Sequence, residues 1–255
     1  PMDDKGMICS GLPGLVEKYH PKFIYVNSSF HDPTGIAMTL ERKKQLLELS
    51  YRYHIPVVET DGASEILFEG NPIPSLKSLD AGNHVIYIYS FALTFAPGLG
   101  LAFLAGPKPL MKSLRHLVSL RFISLDSLPQ HLMNRYLEDG TYLRNLKSIC
   151  SLYKEKRDLM CHELEEAVRT GLSYSKPRGG VYLWCQLPDT VCFKNFFDRS
   201  RHKGVSFIPG NIFYPFGNEG DNFIRLNYSY PSKEQIMQGI PLLTEALKES
   251  MEKAV

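Results

Sequence analysis

The sequence predicts an α/β fold with a mostly parallel sheet, followed by a smaller α+β C-terminal domain. Three observations predict it: short apolar runs alternate with helical patterns through the first half; a long stretch without proline or glycine follows; and strand patterns then return between helices. The apolar runs are Phe23 to Val26, Pro56 to Val58, Val85 to Tyr89 and Leu101 to Ala105. A helix is expected from Leu40 to Tyr53, where Thr39 can cap it and Leu40, Leu46, Leu47 and Tyr51 recur near helical spacing. The basic run Arg42-Lys43-Lys44 is expected to form a solvated face. From Tyr142 to Arg169 a long amphipathic helix is predicted after the turn signal Asp139-Gly140, and a helix of that length can bridge two domains. Beyond it come a strand at Val181 to Trp184, a helix around Lys194 to Lys203, strands at Val205 to Ile208 and Phe223 to Asn227, and a closing helix from Ser232 to Glu249. The expected domains are therefore residues 1–141 and 142–255.

Composition excludes more than it identifies. With 29 basic and 27 acidic residues, the net charge of +2 points to neither nucleic acid nor a membrane surface. No stretch approaches the ~20 apolar residues of a membrane span. The five cysteines are scattered and never in CxxC spacing, so reduced thiols and a cytoplasmic location are expected. The eight histidines share no HxxxH or HExxH spacing, so no metal site is expected. Neither a GxSxG elbow nor a P-loop occurs. The aromatic residues lie mostly at strand or helix spacing and read as core.

Several segments in order carry a resemblance: SFHDPTG at Ser29, YRYHIPVVETDGASEILFEG at Tyr51, SFALTFAPGLGLAF at Ser90, PRGGVYLW at Pro177, GVSFIPG at Gly204 and FIRLNYS at Phe223. Together they resemble the fold-type-I aminotransferases. The stretch Ser124 to Leu146 makes the chain most similar to the aminotransferase-like domain of MocR-type regulators of the GntR family. The resemblance implies the large-domain sheet of that fold, with its N-terminal part missing. It implies that the chain begins in mid-domain, and that DNA is contacted only through a domain absent from this chain.

The same resemblance implies a pyridoxal phosphate site, and the residues there depart from what its chemistry needs. Leu93 stands where a lysine would form the imine with the cofactor aldehyde. Gly100 stands seven residues later, where an arginine would pair with the phosphate. Thr60 and Gly62 occupy the places of the aspartate that protonates the pyridine nitrogen and the tyrosine that donates to the ring oxygen. Asp61 does not replace Thr60 without a one-residue slip, because successive strand residues point to opposite faces. Asp32 replaces the asparagine of the usual NPTG turn, and an anion there would repel a phenolate.

Two side chains match. Ser90 is where a hydroxyl contacts the phosphate, or is equally a strand-end serine satisfied by a turn. Arg225 matches the arginine that grips a substrate carboxylate, with a structural ion pair as its alternative. The expectation is thus a catalytically inactive, homodimeric aminotransferase-like domain without cofactor or catalytic residues. It would bind a small carboxylate or amino-acid effector through Arg225, Ser90, Asp32 and Thr60. The alternatives are a pyridoxal-phosphate-dependent aminotransferase with a remodelled site, and a structural remnant without ligand.

Overall fold

The computed structural model describes residues 1–121, 126–215 and 219–251. Ser124, where the regulator-like stretch starts, lies outside them. The chain divides into two compact units, Pro1–His31 with Ile36–Ile149, and Asp32–Gly35 with Cys150–Val255.

The first unit opens with a small hairpin, β1 (Met2–Asp3) and β2 (Gly6–Met7), followed by α1 (Leu12–Tyr19), β3 (Ile24–Asn27), α2 (Leu40–Tyr53) and β4 (Val57–Asp61). It continues through α3 (Leu76–Leu79), β5 (Val85–Ser90), β6 (Ala102–Ala105), α4 (Lys108–Arg121), α5 (Ser127–Glu138) and into α6 (Thr141–Glu163). Its main sheet has the order β3-β4-β5-β6. The first three strands are parallel, as the alternation predicts, and β6 runs antiparallel to β5. The reversal follows from the connection: a parallel return needs a crossover, usually a helix, whereas residues 91–101 contain only a short 3₁₀ turn at Pro97–Leu99.

Thr39 caps α2 by accepting from the Arg42 backbone N–H at 3.3 Å. Leu46 and Leu47 then enter a core with Cys9, Val26, Met38, Val57, Leu76 and Val85. The basic run on α2 is not a solvated face. Lys43 is fully buried with its Nζ donating to the Pro74 carbonyl at 2.9 Å, and Arg42 reaches the Met7 carbonyl and Asp3. Burial lowers the Lys43 pKa, and the charges of Glu59 and Asp61 oppose that shift. Only Lys44 of the three is exposed. Residue type placed the run outside, but α2 is covered on that side as well.

The second unit contains the remainder of α6, then α7 (Glu165–Arg169), β7 (Ser173–Tyr174), β8 (Tyr182–Gln186), α8 (Phe193–His202), β9 (Ile208–Pro209), β10 (Phe223–Asn227) and α9 (Lys233–Glu249). The predicted single helix from 142 to 169 is broken at Leu164, between α6 and α7. An antiparallel sheet of order β7-β8-β10-β9 buries Leu183, Cys185, Ile224 and Leu226. The buried Phe196 of α8, and Ile236 and Leu247 of α9, complete an α+β core. Ser232 and Gln235 form a reciprocal capping box that fixes the start of α9. Among the described residues no helix is long and apolar enough to cross a membrane.

Candidate functional site

In open α/β sheets, ligands gather at the carboxyl ends of the parallel strands. Here those ends carry Thr60, Asp61, Gly62 and Ser90. Strand alternation buries Val57, Glu59 and Asp61 of β4 and leaves Val58 and Thr60 half-buried on the other face. Glu59 accepts from Ser28 Oγ at 2.5 Å and from the backbone N–H groups of Leu76 and Lys77 at 2.8 and 2.9 Å. Asp61 accepts from the Tyr87 hydroxyl at 2.7 Å and from the N–H groups of Ala63 and Ser64. Burial, and then the Asp61 charge, push the Tyr87 hydroxyl far above its ordinary value. Asp61 therefore points away from the Thr60 face and closes the turn behind it.

Thr60 donates to the Tyr25 hydroxyl at 3.0 Å. Ser90 accepts from the Ala92 N–H at 3.3 Å, the contact of a strand-end turn. Leu93 is half-buried in the turn after β5. Gly100 is exposed, holds a left-handed φ of +57°, and a Cβ there would meet nothing. Close by, the hydroxyls of Tyr89 and Tyr142 both donate to Glu65, and Tyr142 is also within 3.1 Å of Thr94 Oγ1.

The second unit holds the other candidate. On β10, Ile224 and Leu226 face the core while Arg225 takes the opposite face. The strand register sets Arg225 across from Trp184 of β8 and Ile208 of β9. Its guanidinium carbon lies 4.1 Å from the Tyr182 ring centroid and 4.9 Å from that of Phe213. Trp184 stacks on Phe223 and meets Phe213 edge-on, so the aromatic wall is itself packed. Nη1 donates to Asp32 Oδ1 at 2.5 Å, with the two side chains 17% and 40% exposed. Nε is buried and has no hydrogen-bond partner among the described residues. Burial, and then the Asp32 charge, raise the Tyr182 pKa, while the Arg225 charge opposes them.

The turn that presents Asp32 requires its glycine. Gly35 has φ +69°, and a Cβ there would lie 3.2 Å from both Pro177 Cβ and the Tyr182 carbonyl oxygen. The structure thus brings Asp32 and Arg225 together and gives Thr60 and Ser90 local partners. Sequence reasoning missed Tyr182 and Phe213 by reading the aromatic residues as core. The available signal was the strand register, since Tyr182 precedes by two residues the Trp184 that pairs with Arg225.

The first unit carries polar groups at its strand ends, and the second displays an arginine lined by aromatic rings. A profile described as aminotransferase class I and II matches residues 5–240, and the chain belongs to that family. The chain is 30% identical over 258 residues to aromatic-amino-acid aminotransferase 1 of Thermococcus litoralis, covering 99% of itself and 62% of that relative. It is equally 30% identical over 251 residues to the uncharacterized HTH-type transcriptional regulator YisV of Bacillus subtilis, covering 98% of itself and 51% of that protein. In structure it is similar to kynurenine aminotransferase of Pyrococcus horikoshii, solved with PMP and KYN as substrates and KYA as products: TM-score 0.93, 32% identity, 99% of this chain and 64% of the other. The chain thus spans about half to two thirds of the length of the proteins it matches. Its relatives include both aminotransferases and MocR-type regulators, and its fold is that of the fold-type-I aminotransferases.

These findings correct the expectation that no cofactor belongs here. The family is one of pyridoxal-phosphate-dependent enzymes, and the matched structure holds PMP. The physical error lay in equating attachment with binding. PMP, pyridoxamine phosphate, carries an amine where pyridoxal phosphate has its aldehyde, so it forms no imine with a lysine. Leucine at 93 bears on the covalent link and leaves non-covalent binding open. Leu93 offers no amine, Thr60 no carboxylate and Gly100 no cation.

Proposed function

We propose that the chain is the ligand-binding and dimerisation part of a MocR-type regulator, an aminotransferase-like domain that binds a small amino acid or carboxylate without transaminating it. Arg225 carries the reading. It is a guanidinium held beside two aromatic rings, with a single hydrogen-bonded partner and an unpaired Nε. A planar carboxylate is the acceptor that matches a guanidinium's forked N–H donors. The homodimer reading rests on the exposed leucines of α4 and α5, at positions 117, 120, 128, 132 and 137. The domain works in the cytoplasm and reaches DNA through a separate helix-turn-helix region, of the kind named in its HTH-type relatives.

Calorimetry with L-amino acids tests the anchor. Arg225→Ala is expected to weaken binding by at least about 30-fold, the worth of a charge-assisted hydrogen-bonded pair. Affinity unchanged within about threefold would remove Arg225 from the site. The second reading, a transaminase with a remodelled site, is favoured by the 30% identity to an aromatic-amino-acid aminotransferase. Steady formation of a 2-oxo acid from an amino acid, with pyridoxal phosphate present and a second 2-oxo acid supplied to accept the amino group, would establish it over the first.

A further inference from the structure

The Arg225 anchor is not vacant. Asp32 sits on its Nη1, and the position is one where the resemblance leads to expect a neutral asparagine. Exchanging an amide for a carboxylate changes the charge of the site by one unit. A ligand carboxylate arriving at Arg225 then meets an anion already there, and two carboxylates on one guanidinium repel each other. The guanidinium lies against the Tyr182 and Phe213 rings, 4.1 and 4.9 Å from their centroids. Asp32 makes no hydrogen bond among the described residues other than that to Arg225, and it is 40% exposed, so its second oxygen remains able to accept from a cation.

We propose that Asp32 is a resident counter-ion that sets the charge a ligand must carry. A molecule bearing only a carboxylate must displace Asp32 or share the arginine with it. A zwitterion places its carboxylate on the guanidinium and its ammonium on Asp32, so the ion pair is replaced by two ion pairs. This specificity rests on the Arg225 anchor described above. It makes the site select an intact amino acid over the same skeleton without its amino group.

The experiment compares L-leucine with 4-methylpentanoate, which differ only by the ammonium group, on the wild-type chain, Asp32→Asn and Arg225→Ala. Calorimetry should show the wild type binding leucine about tenfold or more tighter than 4-methylpentanoate. In Asp32→Asn the ratio should fall to within about threefold, with 4-methylpentanoate bound more tightly than by the wild type. Asp32→Ser serves as a second charge-removing variant, and thermal melts confirm that each chain is folded. A ratio unchanged in both Asp32 variants, while Arg225→Ala weakens both ligands, would overturn the counter-ion and leave the anchor standing. Loss of neither ligand in Arg225→Ala, or no binding of either by the wild type, would overturn both.

Discussion

Two arginines of the second unit are treated in opposite ways. Arg157, on α6, is fully buried and its donors are spent: Nε and Nη2 on Asp158 Oδ1, Nη1 on the Pro177 carbonyl at 2.6 Å. Asp158 is shared further with Lys154 at 2.9 Å and Lys176 at 2.7 Å, so one acid serves three cations. Among the described residues Arg225 has one acid, one hydrogen bond and an unpaired Nε. A buried charge is kept for structure when the surrounding groups saturate it, and an unsaturated one is retained at a cost that structure alone does not explain. The strand ends of the first unit follow the first pattern, since Glu59 and Asp61 are saturated by hydroxyls and backbone N–H groups.

The largest expected effect falls on the saturated arginine. Arg157→Ala should destabilise the chain by about 3–5 kcal/mol, because it strands the Pro177 carbonyl, empties a buried volume and deprives Asp158 of a partner. Urea unfolding with an unchanged slope measures it. A loss below about 1 kcal/mol would break the comparison, by showing that saturation does not mark the structural arginine.

Much of this contrast was invisible in the sequence, for physical reasons. Local signals were legible: Thr39 caps α2 as expected, α9 ends at the predicted Glu249, and β10 spans the predicted Phe223 to Asn227. Signals that depend on distant partners were not. Lys43 read as solvated because its residue type is, yet the Pro74 carbonyl receives it. The antiparallel β6 depends on its short connection to β5. Arg225 and Thr60 were reached through the family resemblance. The Asp32–Arg225 pair joins residues 193 apart, and only the register of β10 and the turn at Gly35 bring them together. Asp32 was considered against a cofactor oxygen, and its real neighbour is the arginine.

A smaller effect should appear with pH at the saturated site. Burial raises the Asp158 pKa, but hydrogen bonds from Lys176, Lys154 and Arg157 outweigh it and hold the carboxyl well below the usual range. A depressed folded-state pKa contributes stability that is present above the unfolded value, about 4, and is lost as pH falls below it. Asp158 is 35% exposed, so solvent screening limits the effect to about 1 kcal/mol. Urea midpoints should fall between pH 6 and pH 3, and Asp158→Asn should flatten that fall. An identical pH slope in the variant would show that the three cations do not act through this acid.

The smallest effect on stability is expected at the unsaturated arginine, and it sharpens the comparison most. Arg225→Met keeps apolar volume against Tyr182 and Phe213 while removing a guanidinium whose Nε is buried without a partner. The desolvation of that donor is relieved, and Asp32, being 40% exposed, is left in contact with water rather than stranded. The two changes offset, so the unfolding free energy should move by less than about 0.5 kcal/mol in either direction. Binding of L-leucine should be lost in the same variant, because methionine offers the carboxylate no donor. Stability and binding would then separate at Arg225 where they cannot separate at Arg157. A destabilisation above about 2 kcal/mol would instead place Arg225 with the structural ion pairs, and the carboxylate anchor would lose the unsatisfied donor on which it rests.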